Sequence, residues 1–255
     1  MKGLYDNPVY YEIAFSFFDP AKQAGLIERF VRRHSRRKVR RILDICCGPS
    51  FQLREFARRG YDCIGLDGNA AMLRHLRERG EAAGVRISTV RGDLREFRLR
   101  PRADLALIMM GSLGALSSNR EFLAHLESVG KSLNPGSLYL IENFPFLRAG
   151  TDASYGESWV RRRGGILVRT SYLAELADAF AQTSRETIRM DVRDGVRRRT
   201  FVERGITKAY GGAELLGLLE KNGRFDLVGV FERSSLRPIR NLAGLNMVVL
   251  RRKRA

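Results

Sequence analysis

Several residue types are scarce in this 255-residue chain, and each scarcity excludes something. There are three cysteines, Cys46, Cys47 and Cys63, two of them adjacent and none in a Cys-x-x-Cys pair. Three histidines, His34, His75 and His125, are not paired at metal-ligand spacing. A structural zinc site and a secreted disulfide framework are therefore excluded, and reduced thiols point to the cytoplasm. Long apolar runs are also missing. The longest uncharged stretch, Leu105 to Asn119, holds 15 residues and two glycines, against about 20 for a membrane span. The N-terminal stretch carries Asp6, Glu12 and Asp19 and has no basic region followed by an apolar one, so it does not read as a signal peptide. Lysine is scarce as well: seven of the 46 basic residues, which leaves 39 arginines against 28 acids, a net charge of +18. Such a balance suits an anionic partner. An arginine skew spread over the whole chain is equally what a GC-rich genome yields.

What is present is an ordinary globular composition, with 44% hydrophobic and 29% charged residues, enough for a core without staples. Residues 1–38 read as a helical lid, with Asp19 as N-cap and Pro20 at the first helical position. From 39 to 150 strands alternate with helices: strands over 39–45, 62–66, 86–91, 105–109 and 138–142, helices over 51–59, 70–81 and 120–133. That alternation implies βαβ units and a parallel sheet wound on both faces. Residues 151–208 change character and read as two hairpins, one turning at Gly164-Gly165 and one at Arg193-Asp194-Gly195. Residues 209–255 complete the core with a helix over 212–221 and two strands, 225–231 and 246–250, closing as an antiparallel hairpin.

The chemistry lies at the strand ends. Arg41-Ile-Leu-Asp44-Ile-Cys46-Cys47-Gly48-Pro49-Ser50 is a buried strand, a small-residue turn and a helix start. In a doubly wound sheet, ligands bind beyond the carboxyl ends of the strands. Asp67 ends the next strand 23 positions after Asp44, where a ribose diol is held, and Gly92-Asp93 ends the third, suited to an adenine amino group. Three acids at three successive strand ends form a nucleoside-binding constellation. The turn lacks Gly-x-Gly-x-x-Gly and the chain lacks a P-loop, which disfavours dinucleotides and nucleoside triphosphates.

Leu43-Asp44-Ile-Cys46-Cys47-Gly48-Pro49-Ser50 resembles motif I of the class I S-adenosylmethionine-dependent methyltransferases, usually Leu-Asp-Leu-Gly-Cys-Gly-Thr-Gly. Gly65-Leu66-Asp67 with Ala71-Met72-Leu73 is similar to motif II, Gly92-Asp93-Leu94 to motif III, and Met110-Gly111-Ser112-Leu113-Gly114 and Leu133-Asn134-Pro135-Gly136 to the later motifs. Tyr10-Tyr11-Glu12-Ile13-Ala14 resembles the lid of the small-molecule enzymes. The resemblance implies a Rossmann-like α/β fold, doubly wound, with a seven-stranded sheet, an antiparallel terminal strand, a helical N-terminal lid and an antiparallel β insertion. It implies S-adenosylmethionine as cofactor and S-adenosylhomocysteine as product. Asp44 and the backbone of Cys46 and Gly48 would hold the methionyl end, Asp67 the ribose, Gly68 and Met72 the adenine face, and Asp93 and Leu94 the adenine edge. Met110 and Ser112 would lie beneath the sulfonium, with Tyr11 closing over it. Cys46 and Ser50 replace two motif glycines, in a turn where glycine takes positive φ more freely.

The implied acceptor is a small molecule accepting on nitrogen or oxygen, possibly anionic, with Glu142, Asn143 and Tyr155 near the mouth of the site. The histidines fall on predicted helix surfaces or ends, no general base is assignable, and no metal is expected. Two rival readings stand beside this one. Arg161-Arg162-Arg163 and Arg197-Arg198-Arg199 could serve a nucleic-acid methyltransferase. The altered motif I could instead mark a non-catalytic scaffold.

Overall fold

The computed structural model describes residues 3–147, 154–239 and 245–254. Its centre is a seven-stranded sheet in the order β10-β11-β5-β4-β1-β2-β3. The strands are β1 (Arg41–Ile45), β2 (Asp62–Asp67), β3 (Ser88–Arg91), β4 (Ala103–Ile108), β5 (Leu133–Glu142), β10 (Phe225–Glu232) and β11 (Asn246–Arg252). The first five are parallel, and β11 pairs antiparallel with both β5 and β10. Alternating side chains explain why this sheet is covered on both faces. Leu43, Ile45, Ala106, Ile108, Tyr139 and Ile141 join one core with helices α5 (Asn119–Ser132) and α6 (Gly212–Asn222). Ile42, Leu105, Leu107, Leu138 and Leu140 join another with α2 (Pro20–His34), α3 (Phe51–Arg58) and α4 (Ala70–Glu81). All six residues of β4 are buried, as the apolar run from Leu105 onward requires, with Asp104 buried at its start.

Helix starts follow side-chain chemistry. Asp19 accepts from the amides of Ala21 and Lys22, Asn69 from Ala71 and Met72, and Ser118 from Glu121. His34 ends α2 as expected, whereas the other two histidines depart from the helix surfaces or ends expected. His75 lies buried beside Glu12. His125 is fully buried, its Nδ1 2.7 Å from the Leu94 carbonyl and its Nε2 2.6 Å from the Tyr139 hydroxyl. Burial lowers its pKa to about 4, so it is a neutral core residue donating to one partner and accepting from the other. Helical periodicity could not place the side chains that cover it.

The insertion is one four-stranded antiparallel meander rather than two separate hairpins. Its strands are β6 (Ser154–Arg163), β7 (Ile166–Asp178), β8 (Thr183–Asp194) and β9 (Arg197–Lys208), paired in sequence. The sequence reading ended β7 at Tyr172, yet the largely exposed segment Leu173–Asp178 continues the strand and pairs with β8 across the sheet. The expected junction between core and insertion, at 150–151, lies outside the described residues. Both arginine triplets fall on the edge strands, Arg161–Arg163 on β6 and Arg197–Arg199 on β9. Among the described residues no helix is long and apolar enough to cross a membrane.

Helix α1 (Pro8–Ala14) joins the meander to the core. Leu4, Ile13, Ala14 and Phe15 pack with Val168, Met190 and Val192 in a separate small core, and Trp159 Nε1 donates to the Ala14 carbonyl at 2.7 Å. At its centre is Glu12, 1% exposed. Its carboxylate accepts from Arg54 of α3 at 2.6 Å and Arg163 of β6 at 2.9 Å, with His75 of α4 at 3.4 Å and Arg79 at 3.7 Å. Burial alone would raise the Glu12 pKa. The hydrogen bonds from His75 and Arg163, with the charges of Arg54 and Arg79, overcome it and hold the carboxyl well below the usual range. A depressed carboxyl contributes stability that is complete above its unfolded pKa and is lost as pH falls below it. Glu12→Gln leaves buried Arg54 without its counter-charge, a loss of about 3–5 kcal/mol. The expected outcome is a melting temperature about 10 °C lower at pH 7, with the gap closing in scans below pH 4.

Candidate functional site

The ends of β1 and β4 meet beneath α1 and frame a recess open to solvent at its mouth. Its lining includes Tyr11, Phe15, Asp44, Cys46, Gly48, Phe51, Met110 and Ser112. After β1 the chain turns sharply, with Cys46 at φ +53°, Gly48 at φ +50° and Ser50 at φ +21°. The turn is tied to β2, since Cys47 N donates to Leu66 O at 3.0 Å and Gly48 N to Asp67 Oδ2 at 2.9 Å. Asp67 Oδ1 accepts from Asn69 N at 2.8 Å. One carboxylate thus fixes the turn against the start of α4 and keeps lone pairs for a further donor.

Ser50 shows why a motif glycine could be replaced. Its hydroxyl donates to Asp44 Oδ2 at 2.6 Å and accepts from Leu53 N at 3.1 Å, capping α3. The other Asp44 oxygen, Oδ1, is buried in the recess wall with no hydrogen-bond partner. Burial raises the Asp44 pKa to about 7, with the Ser50 hydrogen bond opposing and the charges of Asp67 and Glu142 adding to the rise. A buried carboxylate oxygen left unpaired is costly and suits a cationic donor arriving from the recess.

At the other side, Met110 takes φ +57° and Gly111 φ +71°, turning β4 into the short 3₁₀ segment Ser112–Ala115. Met110 N donates to Glu142 Oε2 at 2.6 Å. Glu142 Oε1 accepts from Gln23 at 3.3 Å, Gln23 from Gln52 at 3.0 Å, and Arg233 lies at 3.7 Å. Burial raises the Glu142 pKa against the Met110 hydrogen bond and the Arg233 charge.

Of the residues singled out from sequence, Tyr11, Asp44, Cys46, Gly48, Met110 and Ser112 line the recess. Asp67 stands directly behind Gly48, and Gly68 adjoins the end of β3, where a Cβ would be 3.7 Å from Gly92 O. Met72 is 1% exposed in the interior. Asp93 is half-exposed and paired with Arg95 at 2.6 Å, which lowers its pKa. Leu94 packs on the core and gives its carbonyl to His125. Glu142 and Asn143 (φ +53°, Oδ1 buried and unpartnered) sit at the end of β5. Tyr155 is 58% exposed on β6, its ring 6.2 Å from Tyr172, and does not reach the recess. Sequence reasoning missed Phe15, Phe51 and the Gln52–Gln23–Glu142 chain. A lone acid within an apolar helix was the available signal for Glu12, and nothing local marked the glutamines.

Comparison with known proteins agrees with this geometry. Residues 42–136 match the family described as "Methyltransferase domain". A dTDP-3-amino-3,4,6-trideoxy-α-D-glucopyranose N,N-dimethyltransferase of Streptomyces venezuelae is 30% identical over 154 residues, 60% of this chain and 63% of that protein. The chain thus spans about three fifths of this relative's length. Among solved structures, an S-adenosylmethionine-dependent methyltransferase from Clostridium acetobutylicum aligns with TM-score 0.79 at 14% identity, covering 96% of this chain and 97% of that one. The S-adenosylmethionine-bound amino pentose methyltransferase from Micromonospora echinaspora aligns with TM-score 0.73 at 24% identity over 95% and 96%. Residues 42–136 match a methyltransferase-domain family, and the fold that carries them is the one seen in these solved structures. Two sequence relatives are named as N,N-dimethyltransferases of dTDP-amino sugars.

The two replaced glycines make opposite predictions. Cys46→Gly relieves a left-handed backbone that costs an ordinary residue about 1–2 kcal/mol, so the melting temperature rises by about 2–4 °C. Ser50→Gly removes a cap worth about 1 kcal/mol and orphans the second Asp44 oxygen, so thermal denaturation moves downward.

Proposed function

We propose that this protein is an S-adenosylmethionine-dependent methyltransferase acting on the amine of a small amino-sugar acceptor. The observation that carries the reading is the unpartnered, buried Asp44 Oδ1 facing a recess at the strand ends. That atom suits the ammonium of a methionyl group. The residues present fit the cofactor. Asp44 with the Cys46–Gly48 turn would hold its amino-acid end, Asp67 its ribose hydroxyls, and Tyr11, Phe15 and Phe51 would cover its apolar surfaces. The cofactor, when bound, supplies an electrophilic methyl group on a sulfonium. The chain's own contribution is placement. Restricting two reactants to an in-line approach can supply about 7–11 kcal/mol. The aromatic rings of α1 exclude water and face a positive sulfur favourably. The Glu142–Met110 hydrogen bond sets the backbone beneath the reacting end. The amino-sugar assignment is supported by the names of the sequence relatives.

Calorimetric titration with S-adenosylmethionine and S-adenosylhomocysteine tests the cofactor site. Micromolar binding, lost in Asp67→Ala, is the expected result, and no binding of either ligand to the wild type would return the scaffold reading. The raised Asp44 pKa adds a sign. An ammonium ligand requires the ionised carboxylate, so binding below pH 7 releases a proton. Affinity for S-adenosylhomocysteine therefore rises as pH increases from 5 to 7, by up to about tenfold per unit, and levels off above 7. Asp44→Asn flattens that profile. Incubation with S-adenosylmethionine and dTDP-3-amino-3,4,6-trideoxy-α-D-glucopyranose, followed by mass spectrometry, tests the acceptor class.

A further inference from the structure

The inner face of the meander packs on the N-terminal helix and on the segment after β4, and its register brings one carboxylate toward these contacts. Across β8 and β9, Ser184 pairs with Thr207, Glu186 with Gly205 and Ile188 with Glu203. Thr207 sits on the segment after Ser112, since a Cβ on Gly114 would come within 3.1 Å of its methyl group. On the other flank, Glu203 Oε2 is 3.5 Å from where a Gly3 Cβ would be, beside Tyr5, whose ring is 5.8 Å from that of Tyr11. Glu186 lies on the same face of β8, in the row between those of Thr207 and Glu203. The Tyr172 hydroxyl donates to its Oε1 at 2.6 Å. Its row mates are small, Ala174 and Gly205, and a Cβ at Gly205 would meet nothing within 4 Å. Two rows along, Trp159, Thr170, Met190 and Phe201 fill the same face against α1. Glu186 thus stands beside the open side of Gly205, at the end of the meander's inner face away from its packed rows, while Asp44 Oδ1, on a residue that lines the recess, is buried and unpartnered.

The geometry points to Glu186, oriented by Tyr172, as the group that receives the acceptor's amine. This rests on the reading of the recess as the methyl-donor site. An amine arrives at neutral pH as an ammonium, which has no lone pair to give. The carboxylate of Glu186 accepts one N–H proton and becomes a carboxylic acid, leaving a neutral amine whose freed pair would form the bond to the donor's methyl carbon as the carbon–sulfur bond breaks and its electron pair stays on the departing thioether. The proton then passes from Glu186 to solvent. Tyr172 keeps its own proton, because burial together with the neighbouring Glu186 charge raises its pKa, and so holds one carboxylate oxygen while the other faces the slot.

The experiment uses the full chain saturated with S-adenosylhomocysteine, titrated with dTDP-3-amino-3,4,6-trideoxy-α-D-glucopyranose and with the 3-hydroxy counterpart. The same variants are then assayed for turnover from pH 6 to 9. Glu186→Gln is expected to weaken amine binding about 30-fold and to lower kcat/KM about 100-fold at pH 7, with S-adenosylhomocysteine affinity unchanged. The defect shrinks toward pH 9, where the amine arrives deprotonated. Tyr172→Phe gives a smaller loss of the same form, Glu186→Asp restores part of the activity, and Glu175→Gln on the outer face changes nothing. The proposal is overturned if Glu186→Gln binds the amine within threefold of wild type, if its loss is equal at every pH, or if the hydroxyl counterpart binds as well as the amine. It is also overturned if the wild-type complex binds S-adenosylhomocysteine but no amine, an outcome that leaves the cofactor reading standing. Failure of the wild type to bind S-adenosylhomocysteine would instead remove the underlying reading.

Discussion

The N-terminal helix, the parallel core and the β insertion meet at one buried carboxylate. Glu12 draws charged or polar side chains from α3, α4 and β6 onto a single point. A hydrophobic contact could slide by an ångström at little cost, but a desolvated ion pair cannot, because its attraction depends on the approach of particular atoms. The consequence is positional. With Glu12 held, Tyr11 and Phe15 on the same helix are set over the strand ends, and Trp159 locks β6 to the helix terminus. The roof of the recess is thereby referred to its floor through one residue.

The recess itself has an electrostatic character opposite to that of the chain. The protein carries a net charge of +18, while the charges of Asp67 and Glu142 lie close enough to Asp44 beneath the recess to raise its affinity for protons. Those charges are tolerated because backbone amides of the turns, those of Gly48, Asn69 and Met110, point at them. The site is therefore an anionic cup in a cationic body. A ligand with a positive centre and a negative tail is matched at both ends of that arrangement.

The parallel core was legible because its signals are local and redundant. Asp19 and Asn69 cap the helices they precede, and the two-sided burial of LALIMM and LYLIE reads from composition alone. The positions of Asp44 and Asp67 at strand ends followed from the same alternation. The meander was harder to read, since the outer half of β7 has no apolar alternation and is held by cross-strand pairing. Glu12, Gln23 and Gln52 were invisible as a group because their partners come from distant segments. Ser50 looked like damage to a motif. Its two hydrogen bonds show that it does what a glycine could not, holding Asp44 while starting the helix.

The meander has two unpaired borders, β6 and β9, each ten or more residues long. Open borders of that length are templates on which further strands of any chain can assemble. Both carry a run of three arginines. Two such borders brought side by side would set like charges against each other at strand spacing, so the triplets act as a guard against sheet-to-sheet growth. The feature that first suggested phosphate binding thus also keeps a broad, exposed sheet from polymerising.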